Sequence, residues 1–193
     1  MLRALAPAAA AAMLAGCGIN SVPTAEENAK ARWADVQASY QRRADLIPNL
    51  VATVKGAARA ENETLTNVIN ARARATQVQV SADELTDPAK VQAFQQAQGE
   101  LSGSLGRLLV SVEQYPQLQS QGNFFTLMSQ LEGTENRINI AVRDYNQAVQ
   151  EYNTRIRTFP DAIGARVIHG AEPLTPFQAV TPGAERAPPV DFG

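Results

Sequence analysis

The strongest constraint on this fold is a proline-free stretch from Phe124 to Phe159, where apolar or small residues recur three and four positions apart. That spacing predicts an amphipathic helix with one buried stripe. Asn123 is a suitable N-cap, and Pro160 disfavours helical geometry at the residue before it. A helix of about 36 residues would be roughly 54 Å long. Since such a stripe is unstable alone in water, the helix needs partners of similar length. The stripe comprises Phe124, Leu127, Leu131, Thr134, Ile138, Ala141, Tyr145, Ala148 and Tyr152.

One partner helix is predicted to start after residues 24–27, whose sequence T-x-x-E has the form of a capping box. Its apolar stripe keeps the same phase across Pro48, which favours one continuous, kinked helix. Pro48 has no N–H to donate to the carbonyl of Ala44. In the alternative, Asp45 caps a second helix with Pro48 in its first turn.

A further helix is predicted after Asp87, an N-cap followed by Pro88 at the first helical position. Its apolar spacing of three and four is unbroken until Pro116. Glycine inside a helix costs about 1 kcal/mol relative to alanine. We therefore expect its small residues to allow close packing of a neighbouring helix; they are Gly99, Gly103 and Gly106.

The whole pattern predicts an all-α fold, an antiparallel up-and-down bundle of three long helices and one shorter helix. The shorter helix starts near residues 61–63, and the alternating residues 76–80 are interpreted as a linker. Residues 160–193 are rich in proline; one or two turns are expected to dock through Ile163, Val167 and Ile168. We expect disorder from about Pro182.

The N-terminus resembles a bacterial lipoprotein signal. Arg3 precedes an apolar run, residues 4–15, about half as long as a membrane span requires. The run ends in Leu-Ala-Gly-Cys17, which resembles a lipobox with Cys17 as the lipidated residue. The alternative is an alanine-rich tail with an incidental cysteine. Gly18 lacks the aspartate that often retains lipoproteins at the inner membrane, so the outer membrane is favoured. Cys17 is the only cysteine, so an intrachain disulfide is excluded.

Composition limits the classes of partner and ligand that this protein is expected to bind. The 193 residues have a formal charge of −2, with 45% hydrophobic and 19% charged residues. This balance is typical of one globular domain and provides no basic field for nucleic acid. The single histidine, His169, lies in the proline-rich tail. We therefore predict no metal site and no cofactor.

The carboxylates Glu132 and Glu135 are three residues apart beside buried positions of the long helix. Paired carboxylates can perform acid–base chemistry when burial drives their pKa values apart. We favour ion pairs with arginines, for which Arg42, Arg43 and Arg137 are available. Two Tyr-Asn dipeptides, residues 145–146 and 152–153, lie on one helix face. Their asparagines are expected to bond to another helix or to a partner.

Several motifs resemble those of the LemA family, over roughly residues 24–170 and in the same order. They are Arg42–Val51, Thr53–Gly56, Leu101–Leu109, Tyr115–Leu118, Asn123-Phe124, Leu131–Ile138, Arg143–Asn146, Tyr152-Asn153 and Phe159-Pro160. The resemblance implies an antiparallel helical bundle in an envelope-associated bacterial protein. It brings no catalytic residue and no cofactor. Many relatives have a membrane-spanning segment where this sequence has the lipobox-like motif.

We therefore predict a signal peptide at residues 1–16, a tether at 17–23, a bundle at 24–170 and a proline-rich, partly disordered tail at 171–193. The expected function is a non-enzymatic scaffold or interaction module, lipid-anchored and facing the periplasm. Its partners would be the membrane and other envelope proteins, with a homo-oligomer possible. The alternative is a ligand-binding or hydrolytic protein that uses Glu132 and Glu135 with arginines in a cleft. The predicted interaction or structural polar surface comprises Arg42, Arg43, Asp45, Asn49, Glu132, Glu135, Asn136, Asn146 and Asn153.

Overall fold

Three long helices and one shorter helix form most of the computed structural model. They are α1 (Leu2–Ala57), α2 (Asn62–Gln77), α3 (Pro88–Val112) and α4 (Gly122–Arg155). A 3-10 turn spans Ala82–Glu84, and a helical turn α5 (Asp161–Gly164) leads into a π-helical turn (Ala165–His169). The structure describes residues 2–57, 62–113, 115 and 122–178, and the side chains of 20–56, 63–113, 115 and 122–178. These residues contain no strand. The predicted all-α helical bundle is confirmed.

The predicted tether at residues 17–23 is wrong for the backbone, because α1 runs through it without a break. The predicted capping box is wrong as well. Thr24 lies inside the helix and donates its hydroxyl to the carbonyl of Asn20 at 2.6 Å. The physical reason is burial: Val22 is completely buried and extends the stripe of Ala29 and Trp33 towards the N-terminus.

At Pro48 the prediction of a continuous helix is confirmed, and the alternative of a new helix capped by Asp45 is wrong. The carbonyl of Ala44, deprived of its usual donor, accepts a hydrogen bond from Nε of Arg72 at 2.7 Å. A charged donor from α2 thus satisfies the acceptor that Pro48 leaves open. This contact explains how α1 can contain a proline in its interior.

The start of α3 was predicted correctly. Oδ1 of Asp87 accepts from the backbone N–H of Ala89 at 2.9 Å and of Lys90 at 3.4 Å, as an N-cap does. The helix ends at Val112, and Pro116 lies outside the described residues. The helix α4 begins one residue before the predicted cap and ends at Arg155, four residues before Phe159.

The expected close packing at the α3 glycines is wrong. All three glycines are exposed. A Cβ on Gly106 would meet no atom within 4 Å, and one on Gly103 would meet only the Arg107 side chain at 3.8 Å. The buried face of α3 is instead its leucine row, since Leu101, Leu105 and Leu108 are 0–4% exposed. The glycines therefore lie on the face that points away from the core.

The chain divides into two compact units. The first is built from Met1–Arg43, Val80–Val91 and Glu132–Pro176, and the second from Ala44–Gln79, Gln92–Leu131 and Phe177–Gly193. In the first unit the rings of Trp33 and Tyr145 pack with their centroids 5.1 Å apart. The second unit has a mostly aliphatic core, comprising Ile47, Leu50, Val54, Leu65, Val68, Ala71, Ala75, Leu101, Leu105, Leu108, Val112, Phe124 and Leu131.

The C-terminal region differs from the prediction. Leu174 is buried, so an ordered part of the chain extends past residue 170, the predicted end of the bundle. In contrast, the three side chains expected to dock are exposed, and the small Ala165 is the buried residue of that segment. The exposed side chains are Ile163, Val167 and Ile168. Residues from 179 onward, including the predicted disordered end, lie outside the described part of the chain.

Candidate interaction surface

A buried arginine joins α1 to α4 in the first unit. The Arg43 side chain is 1% exposed, and its guanidinium donates to Oε1 of Glu135 at 3.0 Å. Its guanidinium carbon also lies 4.9 Å from the centre of the Tyr40 ring. Taking a cation out of water is costly unless it is paired, and here a carboxylate and an aromatic face supply that compensation.

The same cluster affects Tyr40. Burial raises the pKa of the Tyr40 phenol to about 12, with Arg43 opposing the rise and Glu135 adding to it. The phenol therefore remains neutral at physiological pH. A neutral ring under a paired guanidinium indicates a structural cluster rather than an exposed binding site.

The two carboxylates highlighted by the sequence have different environments. Glu135 is partly buried and holds Arg43, whereas Glu132 is exposed. Arg42 is exposed too. The sequence predicted ion pairs of these glutamates with Arg42, Arg43 or Arg137. The actual pairing is Arg43 with Glu135, because Arg43 lies three residues after the buried Tyr40 and so on the buried face of α1.

A C-terminal strap, defined here as residues 172–175, lies along α4 and is held by side chains of that helix. Asn153 forms two hydrogen bonds with Leu174: Nδ2 donates to the carbonyl at 2.8 Å, and Oδ1 accepts from the N–H at 2.9 Å. Tyr145 donates its hydroxyl to the carbonyl of Thr175 at 2.8 Å, and Tyr152 to that of Glu172 at 3.1 Å. Tyr145, Tyr152 and Asn153, three of the four Tyr-Asn residues, thus bind backbone groups of the strap.

The strap is also tied to the loop before α3. The N–H of Thr175 donates to the carbonyl of Leu85 at 2.9 Å. Nearby, the carbonyl of Val80 accepts from the indole N–H of Trp33 at 2.9 Å and from Gln37 at 3.0 Å. Polar side chains on α1 and α4 therefore bond backbone groups of the strap and of the loop before α3.

An open groove of about 500 Å³, the α4 groove, lies beside the strap in the first unit. Two of the predicted surface residues, Asn146 and Asn153, line it. Around them are side chains that can donate and accept hydrogen bonds, with one cation at Arg157. The remaining lining residues are Val149, Gln150, Thr154, Thr158 and Pro176.

A second open groove, of about 860 Å³, lies in the second unit on the glycine face of α3. Arg74 and Glu100 form an ion pair at 3.2 Å on this groove, and Arg107 donates to the hydroxyl of Ser104 at 3.2 Å. Sequence reasoning missed this groove because it assigned the glycines to packing. The signal was available: Gly99, Gly103 and Arg107 are spaced four apart on a face with no large apolar residue.

The rest of the predicted polar surface is dispersed. Asn136 is exposed on α4 in the first unit, whereas Asp45 and Asn49 are exposed on the part of α1 that belongs to the second. Within the described residues, no three His, Cys, Asp or Glu side chains are grouped so that they could hold a metal ion. The described helices also include none with the length and apolar character required to cross a bilayer.

Removing either partner of the Arg43–Glu135 pair should destabilise the protein. A hydrogen bond to a charged group contributes about 1.5–3 kcal/mol. We expect a coupling of about 1–2 kcal/mol between Arg43→Met and Glu135→Gln in a double-mutant cycle read from urea unfolding. The matched exposed pair, Arg42→Met with Glu132→Gln, should couple by less than about 0.5 kcal/mol. Equal couplings for the two pairs would show that Arg43 and Glu135 make no special contact in solution.

Loss of the Asn153 amide should detach the strap. Asn153→Ala removes both hydrogen bonds to Leu174 and leaves backbone groups beside a buried residue without partners, so we expect a loss of about 1–3 kcal/mol. The exposed Asn136→Ala on the same helix should change the free energy of unfolding by less than about 0.5 kcal/mol. Hydrogen exchange should also become faster at Leu174 and Thr175 in the first variant only. Unchanged exchange there would contradict the strap contact.

Comparisons with known proteins identify the family of this chain. The model of the LemA family matches residues 32–192. The chain is 27% identical over 157 residues to magnetosome protein MamQ 1 of Paramagnetospirillum magneticum, covering 73% of this chain and 58% of the relative. It is 24% identical over 124 residues to protein LemA of Metamycoplasma hominis, covering 64% and 52%. The chain thus spans a little over half the length of the curated relatives it matches. Because the family model covers most of its residues, this protein belongs to the LemA family.

Proposed function

We propose that this protein is a lipid-anchored, non-enzymatic interaction or scaffold module of the bacterial envelope. It is attached through Cys17 and faces the periplasm, with the outer membrane favoured by Gly18. The lipobox-like sequence supports the anchor, and similarity to magnetosome proteins and to a LemA protein supports a membrane-associated role. The side chain of Cys17 lies outside the described part of the structure.

The interaction role rests on a contrast between two parts of α4. One is the closed cluster of Arg43 and Glu135, and the other is the open α4 groove. Glu135 is held by Arg43, so the two glutamates do not form an isolated acid–base pair. Beyond them the helix presents the α4 groove, rich in amides and hydroxyls. Such groups bind a peptide backbone or a polar protein surface through hydrogen bonds, and they supply no nucleophile with an adjacent base.

The ligand-binding or hydrolytic alternative required Glu132 and Glu135 with arginines in one cleft. The ion pair with Arg43 occupies Glu135, and Glu132 is exposed on the outer side of the helix. The α4 groove takes its lining from residues further along the chain and includes neither glutamate. These positions favour the interaction module.

The anchor is tested by replacing its cysteine. Cys17→Ser should abolish incorporation of a fatty-acid analogue in cells, because the thiol is the only group available for lipidation at this site. Gly18→Asp is the matched control: labelling should persist, while the protein should move from the outer to the inner membrane fraction on a density gradient. Labelling that survives Cys17→Ser would contradict the lipid anchor.

The interaction surface is tested by site-specific photocrosslinking in intact cells. A photoreactive amino acid at Gln150, exposed on the α4 groove, should give a discrete adduct with an envelope protein. The same group at the exposed Glu113, outside both grooves, is the control and should give none. Equal adducts from the two positions would contradict a dedicated surface on α4, and an adduct with twice the mass of the chain would identify a homo-oligomer.

A further inference from the structure

Four large apolar side chains are exposed in a short segment of the first unit. The exposed fractions are 79% for Phe159, 60% for Ile163, 80% for Val167 and 56% for Ile168. We call these four residues the apolar tip. A group of large apolar side chains in water is unfavourable and marks a surface that meets another apolar phase.

The tip is held in a defined shape. Asp161 and Arg155 lie 3.7 Å apart as an ion pair, joining the end of α4 to α5. Ala165 is buried, and its carbonyl accepts from the N–H of Ala171 at 2.9 Å. Gly170, at φ 55°, lets the chain leave the π-helical turn in a left-handed conformation that other residues rarely adopt. The exposed side chains therefore project from a folded segment.

The register of α1 against α4 shows which part of α1 lies level with this tip. Arg43 pairs with Glu135, and Trp33 packs on Tyr145. A step of ten residues towards the N-terminus of α1 thus corresponds to a step of ten residues towards the C-terminus of α4. Further along, burial raises the pKa of Tyr152 and the carboxylate of Glu26 adds to that rise, which agrees with the same offset between the two helices. Within the first unit the two helices are therefore antiparallel and keep one register.

Extending that register brings the tip level with the N-terminal part of α1. The same offset sets the buried Val22 level with the buried Ile156, and it sets residue 159 level with residue 19 of α1. Cys17 precedes Asn20 by less than one helical turn, a rise of roughly 4.5 Å. The backbone of α1 continues beyond this level into the apolar residues 4–15. The apolar tip and the predicted anchor therefore lie at the same end of the first unit.

We propose that the apolar tip inserts into the head-group region of the phospholipid surface to which Cys17 is anchored. This inference rests on the proposed lipid anchor. Aromatic and branched aliphatic side chains are suited to that region, and their burial there removes apolar surface from water. The exposed Arg157 and Arg166 flank the tip and match the negative charge of lipid phosphates. The lipid chain and the tip would together fix the orientation of the first unit on the membrane.

The test measures the depth of single positions in the acylated full chain. Ile163→Cys and Val167→Cys provide single free thiols, since the acylated Cys17 cannot react, and each is labelled with an environment-sensitive fluorophore. The protein is reconstituted in vesicles of equal parts phosphatidylethanolamine and phosphatidylglycerol. We expect a blue-shifted emission and several-fold stronger quenching by head-group nitroxide lipids than at a control label.

The matched control is Ile140→Cys, which is 42% exposed on α4 in the same unit. It lies 15 residues before Arg155, the last residue of α4, roughly 22 Å along the helix, and its label should remain accessible to aqueous iodide. All three positions are exposed, so the variants should keep the thermal midpoint of the unsubstituted protein.

The two proposals fail in different ways. A mass spectrum without an acyl group on Cys17 would overturn the anchor, and the tip proposal with it. An acylated protein whose labels at Ile163 and Val167 are quenched no more than the label at Ile140 would overturn the tip alone. Strong quenching at the two tip positions that is absent at Ile140 is the result we expect.

Discussion

The antiparallel register between α1 and α4 is the constraint on which the first unit depends. It is fixed by an ion pair between Arg43 and Glu135 and by the packing of Trp33 on Tyr145. A shift of one residue would separate the buried guanidinium from its carboxylate, at the high cost of an unpaired buried charge. Because this register is defined, the exposed residues near Phe159 are level with the part of α1 around Asn20.

Polar side chains form hydrogen bonds with backbone groups that the helices leave without a partner. The carbonyl left open by Pro48 is bonded by Arg72, and the carbonyls of the C-terminal strap are bonded by tyrosines and by Asn153. Each case satisfies a backbone group that would otherwise be buried without a partner. Consequently, several residues that look like an interaction surface in the sequence are structural, and the accessible part of α4 is the groove beside the strap.

The cores of the two units are built from different kinds of side chain. The first unit buries aromatic rings and one charged residue between α1 and α4, whereas the second packs mostly aliphatic side chains in a continuous cluster. In the second unit the glycines of α3 point away from the core. Close packing with a neighbouring helix therefore does not offset the free energy that glycine costs a helix. The open groove on that face is the visible consequence of those small residues.

The sequence by itself determined the helices, the apolar stripe of each, the cap at Asp87 and the family, because these depend on residues that are close in the chain. It did not determine which of two adjacent arginines turns inward, or that the segment after residue 170 binds α4. It also missed the helical state of residues 17–23, which burial of Val22 favours over a tether. Such features depend on contacts between residues far apart in sequence. Only the tertiary structure brings Arg43 to Glu135 and Asn153 to Leu174, and the free energy of those contacts decides between alternatives that local spacing leaves equal.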